Sequence, residues 1–130
     1  MPNFSGEQLR DTGFHGVDQV REHNGRWPLE HDDLMSMQAG FHAAFIAQSG
    51  QFGHAPQNLR PGQCENIWQG VGTDPGHMVW NAVTNDWMHK EGHRNTLLAE
   101  NLCKMGIGSH VVDFRNGIYH VVVVFRGLHS

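Results

Sequence analysis

The sequence predicts an α+β fold, with helices in its first two thirds and an antiparallel hairpin at its end. Three observations carry this. Apolar residues recur at helical spacing in separate stretches before residue 90. After Met105 the pattern changes to runs rich in Val, Ile and aromatics. Those runs meet at Asn116-Gly117, a strong signal for a two-residue hairpin turn.

In chain order, Phe14, Val17 and Val20 predict a first helix from about Phe14 to Asn24, its start weakened by Gly13 and Gly16 and its continuation broken by Pro28. His23, Asn24 and Arg26 are suited to holding its end by hydrogen bonds. Asp32 and Asp33 open a second helix, Leu34, Met37, Phe41, Ala44 and Phe45 form its apolar stripe, and Ser49-Gly50 closes it. An irregular segment runs on to about Cys64, followed by a short strand at Glu65-Asn66-Ile67-Trp68. The third helix has one of the clearest starts, with Asp74 as N-cap and Pro75 at the first helical position. It carries Val79, Trp80, Val83 and Trp87 on one face and ends at Gly92; His93 to Leu98 adds one or two helical turns. Met105 to Phe114 and Ile118 to Phe125 are the hairpin strands. Trp68, Trp80 and Trp87 fit inward faces and are read as core.

The length of 130 residues suits one domain, 1–130, with a core that needs no disulfide or metal. Nine Lys and Arg stand against thirteen Asp and Glu, so charge gives no reason to expect a nucleic-acid or anionic-membrane partner. No apolar run approaches the ~20 residues that cross a bilayer. The beginning MPNFSGEQLR has no leader character, so the chain is either cytoplasmic or has lost a leader. Cys64 and Cys103 permit one bridge without requiring it. The Asn3-Phe4-Ser5 sequon is too common by chance to weigh. Most of the eleven histidines, His77, His110 and His120 among them, lack supporting context and are expected to be exposed.

The order of short motifs is more informative than any one of them. His23-Asn24-x-Arg26, His54, Glu65-Asn66, Trp87, Gly92-His93-Arg94-Asn95-x-Leu97-Leu98 and Met105-Gly106-Ile107-Gly108 before a final hairpin together resemble the CAP superfamily of cysteine-rich secretory, antigen-five and pathogenesis-related proteins, in its compact prokaryotic-type form. The resemblance spans nearly the whole chain. It implies an α-β-α sandwich, a small antiparallel sheet between helices, and a secreted or cell-surface protein. It also implies a cleft in which His54, Glu65 and His93 converge.

Such a set has plain chemistry. Two neutral imidazoles hold a divalent ion, with zinc the first candidate and calcium or magnesium alternatives, while a nearby carboxylate holds or deprotonates a bound water. Glu65 is equally suited to a structural role, accepting loop amide bonds. The family's second cleft glutamate falls here on Lys90. Glu91 is next to it but about 100° further round a helix, which makes it a doubtful cleft member. His89-Lys90-Glu91-Gly92-His93 is not a zinc-protease helix, because Glu does not follow the first His. Arg94 and Lys90 read as a solvated rim. Cys64 has the negative charge of Glu65 beside it, which disfavours a nucleophilic thiolate.

Two functions follow. The first is a non-enzymatic, monomeric binding module whose cleft holds a metal and an extended extracellular peptide, glycan or lipid. The alternative is a metal-assisted hydrolase with Glu65 as general base.

Overall fold

A computed structural model of the chain describes residues 4–54 and 61–130. Asn3 of the sequon and residues 55–60 of the irregular segment lie outside them. The elements in order are α1 (Gly6–His23), β1 (Glu30–His31), α2 (Asp33–Ser49), β2 (Gln63–Gly72), α3 (Pro75–Asn81), α4 (Glu91–Leu97), β3 (Leu102–Arg115) and β4 (Ile118–His129). Between α3 and α4 the helical path widens into a π turn at Ala82–Asp86 and tightens into a 3-10 turn at Trp87–His89. The chain is α+β, as its residue pattern predicts.

The four strands lie in the order β1-β3-β4-β2. All pairings are antiparallel except that of β1, which runs parallel to β3 over two residues. Asn116 and Gly117 turn the hairpin with φ of 47° and 81°, the left-handed pair that a two-residue turn of matching twist demands. β4 occupies the middle of the sheet, so Val121 to Arg126 is buried on both faces. Val121, Val123 and Phe125 meet α1, α3 and Trp87 on one side. Val122 and Val124 meet Ala39, Ala43 and Ile46 of α2 on the other. The strand's period of two thus divides one apolar run between two cores, and the three layers stack as helix, sheet and helix.

Several expectations are corrected by packing. α1 begins at Gly6, capped by the Ser5 hydroxyl, and Gly13 and Gly16 do not weaken it. A side chain at either would press on Ile107 or Val83, so both are places of close approach. Gly92 does not end a helix but lies inside α4; the preceding helical path ends at His89. The strand expected over four residues spans ten.

The largest correction concerns α2. Its boundaries agree with the sequence reading, including the left-handed Gly50 at its end. Yet Leu34, Met37, Phe41 and Phe45 face outward, and Met35, Ser36, Ala39, His42, Ala43 and Ile46 face the sheet. The reason is distance. α2 rests directly on β3, so closely that a methyl group at Gly106 would collide with the backbone of Met35 and Ser36, and one at Gly108 with Gly40 and Ala39. A helix that close admits Ala, Gly and Ser on its inner face and leaves no room for phenylalanine.

Arg21 also stands apart from the sequence reading. It is fully buried in α1 and donates to the carbonyls of Trp27, Leu97 and Ala99. With Asn24 donating to Val20 and Arg26 to Leu98, it fixes the end of α1 against the end of α4.

Candidate functional site

β2 is the outermost strand next to β4, and the site is built along its outer side. Glu65 and Asn66 are consecutive, so they point to opposite faces. Glu65 lies directly across from Arg126 in the β2–β4 ladder. Both side chains are completely buried, and Arg126 donates from Nε to Glu65 Oε2 at 3.0 Å. The other oxygen, Oε1, accepts from His54 Nδ1 at 2.9 Å. An ionised carboxylate can only accept, so the proton of a neutral His54 sits on Nδ1 and the lone pair on Nε2. His54 itself is more than half exposed. The carboxylate therefore orients an imidazole whose Nε2 makes no hydrogen bond among the described residues, the usual outer support of a metal-binding histidine.

Asn66 anchors the third residue through its backbone. It donates from Nδ2 to the backbone carbonyl of His93 at 2.9 Å, joining β2 to the first turn of α4. His93 Nδ1 is buried and has no hydrogen-bond partner among the described residues. Burial lowers the His93 pKa, and the positive charges of Lys90 and His54 lower it further. His93 thus stays neutral further into mild acid than a free histidine does.

A cavity of about 540 Å³ opens beside His93, which lines it with Phe52, Trp68, Gln69, Asp86 and Lys90 among others. Trp68 is held by its indole N–H, which donates to Asp86 Oδ2 at 2.7 Å. Trp87 is core, as expected, and donates to the Ile67 carbonyl. Trp80 is half-buried and stacks on His15. The loop bearing Phe52 and His54 is held from α2, where buried His42 donates from Nε2 to the Gly53 carbonyl at 2.7 Å.

The structure brings His54 and Glu65 into contact and ties His93 to the same strand through Asn66. Glu91 is exposed and does not line the cavity, whereas Lys90 does. Sequence reasoning missed Arg126, His42 and Asp86. Arg126 had a signal, being a cation that continues the alternation of Val122 and Val124 at the end of an apolar strand.

The donor set suits a divalent ion only loosely. His54 Nε2 and His93 supply two nitrogens, but no group of three His, Cys, Asp or Glu able to hold a metal occurs among the described residues. An ion held there would keep most of its positions open to water or ligand.

Cys64 and Cys103 are free thiols. They lie on β2 and β3, the two strands that flank β4, and two strand spacings amount to about 9.5 Å, beyond the reach of a disulfide. Burial, more than the neighbouring Glu65, raises the Cys64 pKa. The bridge that the sequence permits is therefore not made.

Comparisons with known proteins agree with this architecture. An extracellular protein containing an SCP domain from Bacillus anthracis str. Ames superposes with a TM-score of 0.71 at 18% identity, over 96% of this chain and 41% of that one. The present chain thus spans about two fifths of that protein. An outer surface protein from Borrelia burgdorferi matches with a TM-score of 0.61 at 17% identity, over 90% of each chain. The crystal structure of NaASP2 with Zn2+ matches with a TM-score of 0.70 at 15% identity, over 96% of this chain and 81% of that one. At these identities the likeness shows the fold alone. No curated protein sequence gives a match. The sequence profile of the cysteine-rich secretory protein family, however, matches residues 14–125, most of the chain. With its motifs, layers and topology in accord, the chain belongs to the cysteine-rich secretory protein (CAP) family.

Proposed function

We propose that this protein is a secreted CAP-type binding module, in which His54 and His93 hold a divalent ion, zinc first, at the mouth of the cavity beside β2. The ion and the cavity together take part of an extended ligand, a peptide, glycan or lipid. The observation that carries this reading is the arrangement of His54, with Nδ1 anchored on the buried Glu65–Arg126 pair and Nε2 left to coordinate. The lowered pKa of His93, which favours its neutral form, supports it. So does a cavity of about 540 Å³ that joins aromatic surface to polar groups, a size and lining suited to a small ligand or one segment of a longer one. The presence of Zn2+ in the related NaASP2 crystal is consistent with it.

The hydrolase alternative loses support at Glu65. A general base must be able to take a proton from the attacking water. Both Glu65 oxygens are engaged, one by Arg126 and one by His54, and the carboxylate is fully buried. Its work here is to orient His54.

Calorimetric titration with Zn²⁺ tests the proposal. Wild type is expected to bind, and His54→Ala and His93→Ala to lose binding. Equal affinity in all three proteins would place the ion elsewhere.

A further inference from the structure

On the outer side of α2, Leu34, Met37, Phe41 and Phe45 are 56%, 56%, 68% and 51% exposed. They succeed one another at steps of three and four residues and so form one stripe along the helix. No Lys, Arg, Asp or Glu lies between Leu34 and Gly50, and the single histidine there, His42, is buried on the opposite side. Isolated exposed apolar residues are ordinary, but a contiguous stripe of large ones marks a contact surface. We propose that this stripe is a self-association surface, on which α2 of a second copy of this chain packs antiparallel about a twofold axis near Gly40. The sequence alone suggests a monomer.

The stripe is complementary to itself. An axis level with residues 39 and 40 sets Leu34 against Phe45 of the second copy and Met37 against its Phe41, which is the reciprocal pairing that twofold symmetry requires. The same register brings Asp33 beside the second copy's Gln48, giving a polar rim to an apolar centre. An uncharged stripe meets another without stranding a charge, whereas a partner with charged groups would have to desolvate them unpaired. An anionic membrane is a poor fit, since helices that lie on such surfaces carry Lys and Arg and α2 carries neither.

The area is adequate. Taking about 150–250 Å² for a large side chain, the four exposed fractions amount to roughly 350–580 Å² per copy. Across a pair, these side chains remove on the order of 700–1,150 Å², a range that includes the ~1,000 Å² that a specific interface needs.

Sedimentation equilibrium from about 1 to 200 µM, where an interface of this size associates, tests the proposal. The expected mass rises from 14.6 kDa towards twice that value with concentration. Phe41→Asp is expected to remain at 14.6 kDa throughout, with unchanged circular dichroism, because its side chain makes no core contact. Register is read separately, in a background where Cys64 and Cys103 are replaced by Ser. Oxidation of an equimolar mixture of Leu34→Cys and Phe45→Cys chains is expected to link one to the other. Either chain alone should not link, because like positions then lie about 16 Å apart along the helices. A wild type that is monomeric at every concentration overturns the proposal, as does equal linking in unmixed chains. A monomer that co-sediments with phosphatidylcholine vesicles and loses that binding in Phe41→Asp also overturns it, and assigns the stripe to a lipid surface.

Discussion

Glu65 and Arg126 face each other across β2 and β4, both without solvent exposure and joined at 3.0 Å. This pair connects the fold to the candidate site, because the other Glu65 oxygen holds His54. A buried ion pair contributes little net stability relative to an apolar pair of the same shape, yet removing one member leaves a stranded charge.

Arg126→Met is therefore expected to destabilise the protein by about 3–5 kcal/mol, because Glu65 loses its buried counter-charge. The double variant Glu65→Gln, Arg126→Met should recover a substantial part of that loss. Chemical denaturation of the wild type, both single variants and the double variant measures the coupling; strictly additive losses would contradict it.

Zinc affinity should fall steeply with acid, since coordination requires neutral imidazoles. Because the His93 pKa lies below the ordinary value, its share of the loss begins below about pH 6.5. Titrations at several pH values between 5 and 8 measure this, and a pH-independent affinity would exclude histidine ligands.

The same shift acts on stability. In the window from about 6.5 down to the lowered folded pKa of His93, the unfolded chain binds the proton more readily than the folded one. Stability is therefore full above the window, is lost as pH falls through it and is level below it. Comparing Tm against pH for wild type and His93→Asn should show a shallower acid decline in the variant; parallel curves would assign the decline to other histidines.

His42 holds the Gly53 carbonyl beside His54. His42→Ala removes one hydrogen bond of about 1 kcal/mol and should weaken zinc binding by about fivefold. The His54 ring resonances should broaden or shift in the variant, a change that a general loss of packing in α2 would not confine to that loop.

Thiol titration under denaturing, non-reducing conditions should count both Cys64 and Cys103 as free. In the folded protein Cys64 should react slowly, because burial raises its pKa and keeps it protonated.

Much of this protein is legible in its sequence because the signals are local. Asp74 before Pro75 caps α3, Gly50 ends α2 in the left-handed region and Asn116-Gly117 turns the hairpin. Each is decided by the backbone preferences of one or two residues. The order of His54, Glu65 and His93 within the family's motifs likewise names the residues of the candidate site, though not their division of labour. That division depends on Arg126, which is 61 residues from Glu65 and reaches it only through strand register.

The facing of α2 shows what only tertiary structure decides. Its sequence is apolar nearly all the way round, with one stripe of Leu34, Met37, Phe41 and Phe45 and another of Met35, Ala39, Ala43 and Ile46. Hydrophobicity cannot choose between them, and by size the first is the more natural core. Gly106 and Gly108 make the choice, because they let β3 approach the helix so closely that only the smaller stripe fits between. Sequence by itself determined where α2 begins and ends. Which of its faces meets the sheet was decided by contact with residues some 70 positions away in the chain, because packing at van der Waals distance discriminates by shape where solvent transfer discriminates only by polarity.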